Sequence, residues 1–280
     1  MIETLIVGGL TIDHFADGSA APGGSVIHSG LAAAAEHAET AFLTVAGDEP
    51  EARDGLRILS ELGTLVHQRA SRTITYRHGE RNGRRVLELE ASTDRIDPGA
   101  RLPPGQPGVA LLAPIADELP ASSIEALRSR LSPALSVLLV QGWLRRLEVG
   151  AMVDPIPLGA VAEELWAAFA LADAVVLSTE DLSESPDDPF AQSVALRRRL
   201  GTRPVIVLTL GVQGYLLDDP AADQIIAAVP RRIVEGVPTV GAGDTFGVIF
   251  AIHLARGAGA VGAAHAASEG VIRLFESRRG

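Results

Sequence analysis

The sequence predicts an α/β fold: a doubly wound, mainly parallel sheet with helices on both faces, plus a small β lid. Three observations predict it. Short runs rich in Val, Ile and Leu alternate with Ala/Leu-rich stretches of helical length; the runs are apolar throughout; and two segments interrupt this rhythm with a more polar pattern. Strands without a polar face need cover on both sides, which parallel neighbours joined by helices provide.

In chain order, buried strands are expected at 4–7, 42–45, 109–112, 137–140, 174–177 and 205–210. Helices are expected near 25–36, 51–62, 122–131, 159–171 and 189–200, with another from Thr245 to about Leu254. Within 65–90, residues 72–77 and 85–90 alternate with period two, and Glu80-Arg81-Asn82-Gly83 between them carries an Asn-Gly hairpin signal. The segment 11–21 is short and polar. One domain spanning 1–280 is therefore expected, with a lid formed by about 11–22 and 64–91; an ordinary edge hairpin is the plain alternative.

Composition excludes several mechanisms. Of 280 residues, 47% are hydrophobic, enough for a sizeable core. The net charge is −11 and the positive residues are scattered, which argues against a nucleic-acid or anionic-membrane partner, since both need a basic footprint. There is no Cys, so thiolate nucleophiles and Cys-ligated zinc are out. There is also no Lys, and all 24 basic residues are Arg, which removes a Walker-type phosphate loop and Schiff-base chemistry. The opening residues lack a positive region and a long apolar stretch, so a cytoplasmic protein is expected.

The most informative segment is Val237-Pro238-Thr239-Val240-Gly241-Ala242-Gly243-Asp244-Thr245-Phe246. Small residues lead into an apolar helix, leaving its first backbone N–H groups open to an anion. An acid at that mouth is either an ordinary helix cap or a base beside a phosphoryl site. In this region the chain resembles the ribokinase-like (PfkB-type) family of sugar and nucleoside kinases, whose signature reads Asp-Thr-x-Gly-Ala-Gly-Asp. Pro22-Gly23-Gly24-Ser25-Val26-Ile27-His28-Ser29-Gly30 is similar to that family's di-glycine substrate motif, and Val205–Gly214 to its nucleotide-binding strand and turn. Gly8–Asp13 and Val45–Glu49 also fall in the family order, so the resemblance spans nearly the whole chain.

The resemblance implies an ATP-dependent phosphotransferase acting on a hydroxyl of a sugar, inositol-like polyol or nucleoside. Asp244 would be the catalytic base, and the amides of Gly241, Ala242 and Gly243 would form an anion hole. Asp13, Gly23 and Gly24 would contact the acceptor, although a solvated loop acid is the competing reading for Asp13. His28 stands where the family usually has Asn. Gln141 and Arg145, beyond the strand at 137–140, would reach the pocket from the strand ends; a surface ion pair is the plain reading of Arg145. Thr209, Gly211 and Gly214 would line the nucleotide side, or simply make a tight turn. The family's Asn-x-x-Glu motif appears as Ser178-Thr179-Glu180-Asp181, which puts Ser178 on the nucleotide and Asp181 at the Mg2+ ion. Pro238 replaces the signature's opening Asp, which makes a monovalent-cation site at that loop doubtful. A homodimer through the lid is the expected assembly, and the motif variants lean towards inositol-kinase-like branches. The rival from another class is a non-catalytic sugar or nucleotide sensor on the same scaffold. A nicotinamide-dependent oxidoreductase is disfavoured, because Gly8–Asp13 lacks the dinucleotide glycine spacing.

Overall fold

The computed structural model describes residues 2–81, 84–183, 188–222 and 224–279; the expected Asn82-Gly83 turn lies outside them. The chain begins with β1 (Thr4–Gly9), β2 (Thr11–His14), β3 (Ala20–Gly23), α1 (Ser25–Ala35), β4 (Thr40–Ala46), α2 (Pro50–Leu62) and β5 (Thr64–Arg69). It continues through β6 (Ile74–Arg81), β7 (Arg84–Ala91), β8 (Val109–Leu112), α3 (Ala121–Leu131) and β9 (Leu135–Leu139). Three two-residue strands follow, β10 (Arg145–Arg146), β11 (Ala151–Met152) and β12 (Asp154–Pro155), then α4 (Glu163–Ala170), β13 (Ala174–Ser178) and α5 (Pro189–Leu200). The last elements are β14 (Val205–Thr209), β15 (Tyr215–Asp218), β16 (Ile226–Ala228), α6 (Ala242–Ala255) and α7 (Gly259–Ser277).

Nine strands form the main sheet in the order β16-β15-β14-β13-β9-β8-β1-β4-β5. Strands β5 to β14 along that order run parallel, and β15 and β16 close one edge antiparallel. Successive residues alternate between two cores. Leu5, Val7, Leu43, Leu138 and Val175 share one with Ile124, Trp166, Phe169 and Leu196 of α3, α4 and α5. Ile6, Phe42, Leu111, Val137 and Val176 face the other, with Val26, Leu59, Phe250 and Ala264 of α1, α2, α6 and α7. This is the doubly wound arrangement expected from all-apolar strands. Close approach on the second face relies on missing side chains: a Cβ on Gly247 would lie 2.2 Å from Leu139 Cδ2.

A second, five-stranded sheet has the order β11-β7-β6-β2-β3. It corrects the expected lid boundary. Residues 64–69 are not part of it; they form β5, the parallel edge strand of the main sheet beside β4. An edge strand has one covered and one wet face, so it shows the same period-two pattern as a lid strand. Strand β11 completes the second sheet from a distant part of the chain, pairing Ala151 with Leu89. The helix expected at 159–171 starts later, at Glu163, after a 3₁₀ turn at Leu158–Ala160. Helix α6 starts earlier, at Ala242, and α7 was not anticipated. No helix among the described residues is long and apolar enough to cross a membrane.

The two sheets are joined at the loop after β8. Glu118 is fully buried and accepts N–H bonds from Gly9 (2.8 Å), Ile115 (2.9 Å) and Ala116 (2.8 Å). Burial pushes its carboxyl above the usual range, while those amides pull the other way. Tyr76 of β6 donates its hydroxyl to the Ile115 carbonyl at 2.7 Å, and Ile74, Tyr76, Leu89 and Ala116 form a small core beneath the second sheet. Replacing Glu118 by Ala would strand three buried donors, each costing roughly 1–3 kcal/mol. Urea titration of Glu118→Ala should show a stability loss of about 3 kcal/mol or more; a loss below about 1 kcal/mol would mean that the knot is dispensable.

Candidate active site

The site forms where several parallel strands end, the usual ligand edge of such a sheet. Gln141 follows β9, Ser178 ends β13 with Asp181 three residues on, and Thr209 ends β14. These residues line a small cleft together with Ser25, Gly243 and Asp244. Asp244 enters from the other side, in the first turn of α6.

The turn before α6 is built by Gly241. Its φ of +78° is left-handed, and it caps the helix without a side-chain bond. A Cβ there would lie 2.5 Å from Cγ of His28, so the imidazole packs directly against the turn. His28 Nε2 is buried and has no protein partner. His28 therefore packs against Gly241 and is not among the side chains that line the cleft described above. Of the three amides expected to form an anion hole, that of Ala242 donates to the Thr239 carbonyl at 3.1 Å. The amides without a backbone acceptor at this helix start are those of Gly241, Gly243 and Asp244. They and the helix dipole favour an anion in front of them.

The Asp244 carboxylate is half-buried, and it makes no hydrogen bond or ion pair among the described residues. It is not a cap. The backbone carbonyl of Asp244 receives the Ser29 hydroxyl at 3.3 Å, which ties α1 to α6.

The acceptor-side residues gather around Asp13. It is buried on β2, which overturns the solvated-loop alternative. Its Oδ1 accepts the Thr11 hydroxyl at 3.0 Å and lies 3.4 Å from Nε2 of His78 on β6. A Cβ on Gly23 would lie 2.3 Å from Asp13 Oδ2, so this glycine makes room for the carboxylate. Gly24 has a φ of +86° and passes 2.8 Å from the Gly9 carbonyl by the same measure, which lets β3 turn into α1. His78 and Thr11 were missed from sequence; the alternating pattern of β6 marks the strand but gives no sign of which residue meets Asp13.

Arg145 and Asp181 are a nearly buried ion pair, with side-chain exposures of 15% and 4% and an N–O distance of 2.9 Å. The surface-pair reading of Arg145 is thereby corrected. The Gln141 amide, with its oxygen turned to the guanidinium, accepts from Arg145 at 3.0 and 3.2 Å. The other Asp181 oxygen accepts the Ser178 amide at 2.9 Å, and the Ser178 hydroxyl accepts from the Glu180 amide at 3.2 Å, a reciprocal capping box. Both oxygens of Asp181 are thus engaged. No group of three His, Asp or Glu side chains suited to a metal occurs among the described residues. A Mg2+ ion at Asp181 would have to share the carboxylate oxygens with Arg145 and the Ser178 amide. Thr209 donates to the Leu177 carbonyl at 3.3 Å, and Gly211 and Gly214 have φ of +59° and +97°, so both glycines serve the turn. A Cβ on Gly214 would lie 2.0 Å from the Ala228 carbonyl oxygen.

A scan against protein-family models and a search of curated proteins gave no match. Solved structures do match over nearly their full length. A pyrophosphate-dependent kinase in the ribokinase family, complexed with a pyrophosphate analog and myo-inositol, has a TM-score of 0.76 and 19% identity, covering 95% of this chain and 92% of that one. Fructokinase from Vibrio cholerae O395 has a TM-score of 0.69 and 20% identity, with 100% of both chains covered. Arabidopsis thaliana ribokinase complexed with ribose and ATP has a TM-score of 0.66 and 17% identity, covering 99% of each. The chain therefore has the ribokinase-like fold.

Gly241→Ala forces a strained φ and drives a methyl group into His28. The expected result is a stability loss of about 1–3 kcal/mol. Thermal protection by inorganic phosphate should fall as well, and differential scanning fluorimetry with and without phosphate reads both.

Proposed function

We propose that this protein is a phosphotransferase that moves the γ-phosphoryl group of ATP to a hydroxyl of a sugar-like or inositol-like acceptor. The observation that carries this reading is the uncompensated Asp244 carboxylate, in a cleft, directly after a turn in which the Gly241 and Gly243 amides have no backbone acceptor. A carboxylate normally avoids the mouth of an anion site, and neither a capping bond nor a partner cation explains this one.

The chemistry follows from those groups. The acceptor hydroxyl gives its proton to Asp244 as its oxygen forms a bond to the γ-phosphorus, and the bond from that phosphorus to the bridging oxygen of ADP breaks. The amides of Gly241, Gly243 and Asp244 stabilise the charge that builds on the transferring phosphoryl oxygens. Asp13, backed by His78, accepts hydroxyl donors of a polyol, and Ser25 connects the di-glycine turn to the cleft of Asp244. Magnesium belongs to this reading only as a companion of the donor phosphates, which is how that ion commonly enters such sites. The second sheet acts as the lid that keeps water from competing for the phosphoryl group, and its free edge is where a homodimer would form.

A second donor is favoured by one observation. The solved structures with TM-scores of 0.76, 0.73 and 0.70 include pyrophosphate-dependent kinases, two of them tied to myo-inositol. Pyrophosphate would use the same amide turn and need no base-binding contact. Turnover should be assayed with ATP and with pyrophosphate across sugars, inositols and nucleosides. Asp244→Asn is expected to cut turnover by about 10²–10⁴-fold while leaving acceptor binding within about twofold. Absence of turnover with every donor and acceptor, alongside measurable ligand binding, would favour the sensor reading instead.

A further inference from the structure

The loop that feeds the anion turn carries three consecutive carbonyls, and all three are occupied. Thr239 accepts the Ala242 amide at 3.1 Å. The carbonyls of Pro238 and Val240 both accept from Arg278, at 2.5 Å from Nη1 and 2.8 Å from Nη2. Arg278 is the C-cap that follows α7, and its amide bonds to the Phe275 carbonyl. A guanidinium presents its donors in a rigid planar fork, which suits two carbonyls held apart by one residue.

Arg231 and Arg232 pair with Glu269 and Glu276 of α7, whereas Arg279 also donates to a carbonyl of this loop, that of Glu235, at 3.4 Å. Arg278 makes no ion pair among the described residues, and partial burial draws its guanidinium below the ordinary arginine range. Its cation is spent on backbone dipoles one residue before Gly241. Carbonyl oxygens converging in this way are also what alkali cations bind. Pro238 has no N–H and cannot help close the turn from its own side.

We propose that Arg278 is a positioning residue for the phosphoryl-binding turn: its guanidinium serves as a built-in cation that holds the Pro238 and Val240 carbonyls and aims the amides of Gly241 and Gly243. The proposal rests on the kinase reading of that turn. Two consequences follow. Turnover needs no added monovalent cation, because the oxygens that would take one are filled. Loss of Arg278 lowers kcat more than it changes acceptor KM, because the residue lies behind the turn and not against the acceptor.

The test compares the full chain with Arg278→Gln and Arg278→Lys. For Arg278→Gln, kcat should fall by about tenfold to a hundredfold, the scale on which misplaced catalytic groups act, with acceptor KM within about twofold. Guanidinium chloride at tens of millimolar should restore much of the loss, and Arg278→Lys should lie between the two. The unaltered protein should be indifferent to potassium in a tetramethylammonium buffer. An unchanged kcat in Arg278→Gln, a loss that guanidinium does not reverse, or potassium stimulation of the unaltered protein would each overturn the proposal. If the unaltered protein shows no turnover, the kinase reading fails separately. Thermal protection by inorganic phosphate then reads the turn directly: guanidinium-reversible loss in Arg278→Gln supports the positioning role, and equal protection overturns it.

Discussion

Glu118 holds the molecule's two sheets in one relation. Its carboxylate, with no access to water, collects the amides of Gly9, Ile115 and Ala116, so the end of β1 and the loop after β8 cannot separate without stranding buried polar groups. Tyr76 then hangs the second sheet on that loop through the Ile115 carbonyl. Asp13, reached through Leu10 and Thr11 directly after the knotted Gly9, inherits its position from the same bonds. A buried acid satisfied by backbone donors costs less than one left alone, and it fixes geometry that apolar contacts would leave adjustable.

Three acids around the cleft show how partners assign roles. Asp181 is committed to Arg145 and to the Ser178 amide, and it keeps the strand-end turn in shape. Asp13 is half-committed, to a hydroxyl and an imidazole that can both be shared with a ligand. Asp244 is uncommitted. Proton acceptance needs the last of these states, and hydroxyl recognition is served by the second. Chemical type alone would not separate them; their surroundings do.

Much of this was legible in the sequence, for physical reasons. All-apolar runs can be satisfied only by cover on both faces, so the parallel core of the sheet could be read directly. The glycines at 23–24 and at 241 are where the chain needs either left-handed φ or close approach, and both turned up at the site. Strand β5 was misread as lid because a half-covered edge strand and a lid strand share one pattern. The commitment of Asp181 to Arg145 joins residues 36 positions apart, and that of Arg278 to Val240 joins residues 38 apart. No local pattern encodes either. Nothing in the neighbours of Glu118 signals that three amides will converge on it.

Strand β11 gives the second sheet a tether outside its own hairpins. It pairs with β7, and the stretch 147–150 leads straight back to β10, where Arg145 starts its reach to Asp181. So short a length of chain has little slack, at most about 3.6 Å per residue. A tilt of the outer sheet would therefore pull on the short stretch of chain that carries Arg145. On the proposed reading, closure of that sheet and the Arg145–Asp181 pair would be mechanically geared to each other.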